Sequence, residues 1–138
     1  SGGQKQRIAI AGIIAMMPEC MIFDESTAML DPVGRREVIS TIEKLNREKG
    51  ITVITITHYM DEAARADRAI VLNDGEIVLD GKPSEVFMQK ETIKAAGLEL
   101  PQCADICVRL RENGVNIDGD FSTMSGAVDA ISRALQKK

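Results

Sequence analysis

The sequence predicts an α/β fold with a mainly parallel sheet, a β-hairpin and a small, mostly helical C-terminal appendage. Short apolar runs alternate with segments of helical spacing, which is the order expected when helices connect parallel strands. Two apolar runs flank Asp74-Gly75, and both of these residues tolerate the positive φ of a tight hairpin turn. After Gly81 a proline opens a series of helical segments. We therefore predict two domains, residues 1–85 and residues 86–138.

The composition is that of a globular protein. Hydrophobic residues make up 44% and charged residues 28% of the 138 residues, unlike disordered or membrane-spanning chains. The longest apolar stretch, residues 8–17, is about half the length needed to cross a bilayer, so we expect it to be a buried helix. Acidic and basic residues are interspersed, the net charge is −4, and only three Phe and one Tyr are present. This pattern offers no basic aromatic surface for nucleic acid.

The first predicted helix covers residues 4–17 and stops at Pro18. Its buried face is expected to be the stripe with helical spacing, which consists of Ile8, Ala11, Gly12 and Ala15. The next apolar run, residues 20–23, is continuous, as in a strand that is buried on both faces. Two carboxylates, Asp24 and Glu25, follow this strand directly.

The second predicted helix has characteristic residues at its start and at its end. Asp31 is a cap residue, Pro32 suits the first helical position, and Gly50 ends the helical pattern. Residues 51–57 are rich in β-branched side chains and predict a second strand, which ends at His58. This helix is therefore the crossover between two parallel strands.

The three cysteines, Cys20, Cys103 and Cys107, lack the paired spacing of a zinc site. Cys103 and Cys107 are four residues apart and share a helical face with Leu110. We expect all three to be reduced, buried thiols that serve packing.

The first four residues are suited to binding phosphate. Gly2 and Gly3 let backbone amides approach an anion closely, and the start of a helix adds N–H groups and a favourable dipole. Taken alone, Ser1, Gly2 and Gly3 would more often be an expression scar or a plain helix cap. Gln4 and the apolar helix that follows favour the phosphate interpretation.

Asp24 and Glu25 are expected at the carboxyl end of a buried strand, where open α/β sheets bind ligands. There Asp24 can hold Mg²⁺ through water, and Glu25 can orient or deprotonate an attacking water. An acidic turn that caps the next segment is the alternative. His58 ends the neighbouring strand and should reach the same edge, where it can bond a terminal phosphate and steady the carboxylate. A lone histidine is otherwise more often structural.

Four motifs follow one another in a specific order: Ser1-Gly2-Gly3-Gln4, Met21-Ile22-Phe23-Asp24-Glu25, Ala28-Met29-Leu30-Asp31-Pro32 and Thr57-His58. Together they resemble the ATP-binding cassette ATPases, whose domain is a RecA-like P-loop NTPase fold. In that family the motifs are the signature, the Walker B strand with its catalytic glutamate, the D-loop and the H-loop. The resemblance covers residues 1 to about 82 and implies binding of ATP and Mg²⁺.

The segments Gly81-Lys82-Pro83-Ser84-Glu85-Val86-Phe87 and Gly97-Leu98-Glu99-Leu100-Pro101-Gln102 are similar to the tail of energy-coupling-factor importer ATPases. These ATPases drive uptake of cobalt, nickel or vitamins. The resemblance implies a second ATPase subunit as partner, in a homodimer or heterodimer, together with a transmembrane coupling subunit and a substrate-binding membrane subunit. It also implies a position at the cytoplasmic face of the cell membrane.

In this family two ATPase domains face each other head to tail. By resemblance, Ser1, Gly2, Gly3 and Gln4 would serve the nucleotide that the partner binds. Asp24 as metal ligand, with Glu25 and His58 as catalytic residues, would serve the nucleotide of their own domain. Asp31 would communicate across the interface.

By the same resemblance the chain begins at the signature motif, so the phosphate-binding loop would lie upstream. We expect the chain alone neither to bind ATP usefully nor to hydrolyse it. A strand that lies between the His58 strand and the hairpin would also be missing. We therefore expect unpaired strand edges to cause repacking, strand exchange or a dimer.

Two other functions fit part of the pattern. DNA-repair and chromosome-maintenance ATPases share the signature and Walker B motifs, but the acidic balance and the lack of a heptad run or zinc-ligand cysteines disfavour them. A non-catalytic interaction module, in which residues 86–138 contact a partner, is the second alternative.

Overall fold

A computed structural model describes residues 2–136 of the chain, and it confirms the predicted α/β class. The elements, in chain order, are α1 (Gly2–Ala15), β1 (Cys20–Asp24), α2 (Pro32–Lys49), β2 (Thr52–Ile56), α3 (Met60–Ala63), β3 (Ala69–Asn73), β4 (Glu76–Gly81), α4 (Pro83–Val86), α5 (Lys90–Ala95), α6 (Gln102–Glu112) and α7 (Met124–Gln136). In the described residues β1 pairs with β2 in parallel, and β3 pairs with β4 in antiparallel orientation.

The described chain forms two compact units, residues 2–58 and residues 59–136. The β3–β4 hairpin belongs to the second unit because Ala69 and Val71 share a hydrophobic core with the helices that follow. The domain division at residue 85 remains a prediction.

The first unit has its core between the β1–β2 pair and the helices. Met21 and Phe23 lie on the inner face of β1 and are each 2% exposed. They belong to the same cluster of buried residues as Val38 and Ile42 of α2 and Ile10 of α1. Because the two strands are parallel, their carboxyl ends meet at one edge of the sheet.

The prediction that β1 is buried on both faces is wrong for this structure. Its side chains alternate between exposed and buried, and Ile22 is 63% exposed. Ile54 and Ile56 of β2 are exposed with it, because the register places Ile54 opposite Ile22. Cys20 lies on this same outer face and is exposed, so its predicted burial is also wrong. Within the described residues the core covers only the inner face.

The predicted buried face of α1 is wrong as well. Ile8 is 73% exposed and Gly12 is exposed, whereas Ile10 is buried and Ile14 packs beside it. The helix has apolar residues around much of its circumference, so two stripes of helical spacing compete. In the structure the stripe that faces the core begins at Gly3 and contains Ile10. Most of residues 8–17 are exposed, so the expected burial of this stretch is not found.

Both predicted ends of α2 are confirmed. Asp31 Oδ1 accepts a 2.7 Å hydrogen bond from the Gly34 amide at the start of the helix. Gly50 ends the helix in the left-handed region at φ 66°, and its amide donates to the Asn46 carbonyl. Only a glycine adopts this conformation without steric cost, which explains the abrupt end.

The second unit begins with α3 and the predicted hairpin. Asp74 and Gly75 have φ values of 49° and 82°, as the hairpin signal required. At the other end of the hairpin, Arg68 forms a bidentate pair with Asp80 through bonds of 2.7 and 2.6 Å. The guanidinium lowers the pKa of the Asp80 carboxyl.

The helices of the second unit enclose its core. The largest buried side chains there are Phe87, Ile93, Cys107, Ile117 and Phe121. Cys103 and Cys107 are free and buried among them, so their predicted packing role is confirmed. Burial raises the pKa of both thiols. In the range 2–136, no helix has the length and apolarity that crossing a bilayer demands.

Candidate active site

Glu25 and His58 meet where the two parallel strands end. His58 Nδ1 lies 2.8 Å from Glu25 Oε1, and both side chains remain partly exposed. A carboxylate only accepts hydrogen bonds, so Nδ1 carries the proton of this bond. In the neutral ring Nε2 is then an acceptor, and in the protonated ring it is a second donor. The sequence-based expectation that the two side chains share an edge is met.

The backbone of Glu25 is unusual. Its φ is 48°, in the left-handed region that side chains other than glycine rarely adopt. The Glu25 amide nevertheless donates a 2.9 Å hydrogen bond to the Ile56 carbonyl and extends the parallel ladder beyond β1. Strained backbone of this kind concentrates at functional sites.

The second carboxylate oxygen of Glu25 is buried. Within the described residues, Glu25 Oε2 has no hydrogen-bond partner. A buried polar atom without a partner is costly, and it calls for a ligand or water at that position. Glu25 therefore has one oxygen held by His58 and one buried oxygen without a hydrogen-bond partner among the described residues.

Asp24 is the last residue of β1, and it is exposed. Among residues 2–136 no three His, Cys, Asp or Glu side chains form a group that could hold a metal ion alone. Mg²⁺ commonly takes one or two carboxylates, with phosphate oxygens and waters as its other ligands. An exposed carboxylate beside Glu25 fits a Mg²⁺ ion that arrives with a nucleotide.

The start of α1 supplies the predicted phosphate-binding residues. Gly2, Gly3 and Gln4 lie in its first turn, where helix amides lack acceptors within the helix. Ser1 lies outside the described residues. An ideal Cβ at Gly3 would lie 3.1 Å from the carbonyl oxygen of Met29, so this turn packs closely on the segment before Asp31.

Asp31 serves as the cap of α2 in this structure. The sequence prediction missed two residues that surround it, Gly34 and Arg7. A Cβ at Gly34 would lie 2.8 Å from Asp31 Oδ1 and 3.6 Å from Cζ of Arg7. Gly34 lies three residues after the cap residue Asp31, and this spacing could have identified it from the sequence.

The comparisons with known proteins agree with these motifs. No protein-family model matches the chain. The energy-coupling factor transporter ATP-binding protein EcfA1 of Caldanaerobacter subterraneus subsp. tengcongensis is 59% identical over 133 residues, which are 96% of this chain and 48% of that protein. EcfA2 of Clostridium perfringens is 49% identical over 132 residues, which are 95% of this chain and 46% of that protein. Over most of its length the chain is similar to these ATP-binding proteins, and its motifs resemble those of the ATP-binding cassette ATPases.

Solved structures of this ATPase family match the fold. The structure of cbiO1 from Clostridium perfringens, described as part of the ABC transporter complex cbiONQ, has a TM-score of 0.58 and 41% identity. The match covers 77% of this chain and 43% of cbiO1. The cassette MJ0796 bound to ADP and Pi also has a TM-score of 0.58, with 38% identity, and the match covers 60% of this chain and 36% of MJ0796.

The chain spans about half the length of the curated relatives it matches. The resemblance to energy-coupling-factor ATPases, inferred from short motifs near residues 81 and 97, is confirmed by identities that extend over most of the chain.

Proposed function

We propose that this chain carries the water-activating site of an energy-coupling-factor importer ATPase. The complete subunit would hydrolyse ATP to drive uptake of a micronutrient, either a cobalt or nickel ion or a vitamin. The observation that carries this proposal is the 2.8 Å contact between His58 Nδ1 and Glu25 Oε1 at the ends of two parallel strands.

Glu25 is the general base of the proposed reaction. Its carboxylate would accept a proton from the water that attacks the terminal phosphate, and the buried Oε2 atom has no hydrogen-bond partner within the described residues. Its Oε1 atom is held by His58, so the carboxylate has a defined orientation. The positive φ of Glu25 supports this role because backbone strain of this kind concentrates at functional sites.

His58 orients Glu25 in the proposal and contacts the terminal phosphate of the nucleotide. The proton on Nδ1 is directed to the carboxylate, and in the doubly protonated ring Nε2–H would donate a hydrogen bond to the phosphate. Asp24 would bind Mg²⁺, which supplies much of the charge stabilisation that phosphoryl transfer requires.

The first turn of α1 would serve a second nucleotide, bound by a partner ATPase subunit. The amides of Ser1, Gly2, Gly3 and Gln4 would contact its phosphates, as suits the start of a helix. Asp31 would lie at the same subunit interface and communicate across it. The close packing of Gly3 on Met29 supports one common surface for these residues.

The proposed partners are a second ATPase subunit, a transmembrane coupling subunit and a substrate-binding membrane subunit. The ATPase would sit at the cytoplasmic face of the cell membrane. The similarity to proteins named as transporter ATP-binding subunits, and to cbiO1 as part of a transporter complex, supports this assembly.

Reconstitution of the complete subunit with its membrane partners tests the proposal. We expect hydrolysis of Mg-ATP that is coupled to uptake and unaffected by added DNA. A complete complex that does not hydrolyse ATP would contradict the proposal. Hydrolysis stimulated by DNA would favour the DNA-repair alternative instead.

A further inference from the structure

The first turn of α1 packs on the segment that precedes Asp31, and the Arg7 side chain of α1 reaches the first turn of α2, with a glycine at each place. Gly3 lies against main chain, since a Cβ there would be 3.1 Å from the Met29 carbonyl oxygen and 3.5 Å from Cδ2 of Leu30. Gly34 lies on the other side of Asp31, where a Cβ would be 2.8 Å from the Asp31 carboxylate. The absence of side chains at both positions lets the α1 helix approach the Asp31 turn closely.

Arg7 occupies the space that Gly34 leaves open. A Cβ at Gly34 would lie 3.6 Å from Cζ and 3.7 Å from Nη1 of Arg7. The same Nη1 lies 3.7 Å from Oε2 of Glu37, one turn further along α2. The guanidinium and the Asp31 carboxylate thus border one small space, and Glu37 holds the guanidinium from the other side.

Stabilisation of α2 does not account for this arrangement. A cation near the N-terminus of a helix opposes the helix dipole, so Arg7 in that place is unfavourable for α2 itself. The ion pair with Glu37 is exposed on both sides, and pairs of this kind contribute little to stability. What the guanidinium does provide is a planar charged group that pairs α1 with Glu37 of α2 and lies beside Gly34, three residues after Asp31.

We propose that Arg7 is a positioning residue that holds the Asp31 turn in register with the first turn of α1. The phosphate-binding amides of Gly2 and Gly3 and the carboxylate of Asp31 then reach the subunit interface as one rigid unit. This inference rests on the proposed function, because it concerns the same interface. It adds Arg7, Gly34 and Glu37 to the residues on which turnover depends.

A charge-exchange cycle in the complete subunit tests the inference. Arg7→Glu and Glu37→Arg each place two like charges together, and the double variant restores an ion pair in reversed orientation. We expect each single variant to lower kcat by about 3- to 10-fold, and the double variant to recover to within about 2-fold of the parent. The KM for Mg-ATP should change little, because the nucleotide of the same domain does not contact this turn.

A second pair of variants avoids charge reversal. Gly34→Ala places a methyl group 2.8 Å from Asp31 Oδ1, whereas Gly12→Ala on α1 meets nothing within 4 Å. Gly34→Ala should lower kcat by about 10-fold, since small displacements of positioning groups are costly, while Gly12→Ala should match the parent. ATP-dependent dimerisation in a Glu25→Gln background should weaken for Gly34→Ala alone, and the affinity for Mg-ATP should stay constant.

The outcomes separate the two proposals. A complete parent subunit that hydrolyses ATP and loses turnover in Glu25→Gln supports the proposed function. If that subunit keeps its kcat in Gly34→Ala, or if the double charge variant is no faster than the product of the single effects, the positioning role of Arg7 is wrong. A parent complex without ATPase activity would contradict both the proposed function and the positioning role of Arg7.

Discussion

The Glu25 amide donates a hydrogen bond to the Ile56 carbonyl at 2.9 Å, although the φ of Glu25 is 48°. The ladder of β1 and β2 thus continues one residue beyond β1, and the chain leaves the sheet at the residue proposed as the base. A regular extended residue at this position would continue along the strand direction. The strained backbone conformation of Glu25 and the position of its carboxylate at the sheet edge therefore go together.

Glu25→Gln in the complete subunit should preserve nucleotide binding and reduce turnover by about 100-fold or more, because the amide keeps the shape of the side chain but accepts no proton. The measurement is steady-state ATP hydrolysis beside equilibrium binding of Mg-ATP. Glu48→Gln, which removes an exposed carboxylate near the end of α2, controls for loss of charge and should retain most of the rate. Unchanged turnover in Glu25→Gln would remove the base role.

His58→Ala should lower kcat by about 100-fold with little change in the affinity for ATP, because the carboxylate loses the group that orients it. Rapid-quench measurement of the hydrolysis step would separate chemistry from product release. A variant that hydrolyses ATP at the parent rate would show that His58 has a structural role only.

The 138-residue chain by itself should not bind Mg-ATP with micromolar affinity. Its sequence contains no glycine-rich loop with the Gly-Lys-Ser/Thr ending that cradles phosphates, and one helix start replaces few of those contacts. Isothermal titration calorimetry measures this directly. Saturable micromolar binding to the isolated chain would contradict the expectation, whereas restored ATPase activity on mixing with the remaining half of the subunit would support it.

The isolated chain should also self-associate. Ile22 and Ile54 form an exposed apolar pair on the outer face of β1 and β2, and strand edges readily recruit other strands. Ile54→Lys should shift the chain toward the monomer in sedimentation velocity experiments. Ser40→Lys adds the same charge to an exposed site on α2 and should not. A parent chain that is monomeric at high concentration would be inconsistent with this prediction.

The cysteines should differ in reactivity. Cys20 is exposed, whereas Cys103 and Cys107 are buried and burial raises their pKa. At pH 8 a disulfide reagent should modify one thiol of the native chain quickly and all three only after unfolding, because the thiolate is the reactive form. Cys20→Ser should remove the fast phase. Two or more fast thiols in the native chain would contradict the packing role.

The raised pKa of these buried thiols also sets the sign of a pH effect. The folded state favours the protonated thiols, so their contribution to stability is complete below the ordinary thiol pKa of about 8.5. It is lost as the pH rises through the higher value of the folded state. Alkaline pH should therefore weaken the second unit, which the buried cysteines help to fill.

Local signals predicted much of this structure. Both ends of α2 were predicted from Asp31, Pro32 and Gly50, and the hairpin turn was predicted from Asp74-Gly75. These signals work because each residue favours a particular local backbone conformation. The meeting of Glu25 and His58 followed from the geometry of parallel strands. These features depend on short-range rules that a single sequence contains.

Other features depend on packing that periodicity does not specify. The α1 helix is apolar on several sides, and the stripe that contains Ile10 is buried through its cluster with Met21 and Phe23 of β1 and with Leu30. The continuous apolar run of β1 predicts a strand that is buried on both faces. In the structure its outer face is exposed. The approach of Arg7 to Gly34 joins segments that are distant in sequence, and local propensity predicts neither this approach nor the positive φ of Glu25.

The bidentate pair between Arg68 and Asp80 ties together the ends of the hairpin farthest from its turn. Only two residues separate β3 from β4, so closing this loop costs little chain entropy, and hairpins of this kind form in about 1 to 10 microseconds. The parallel pair must instead bring Cys20 to Thr52 before it gains any contact. Topology therefore predicts that the hairpin forms well before β1 and β2, which lead to Glu25 and His58, pair with each other.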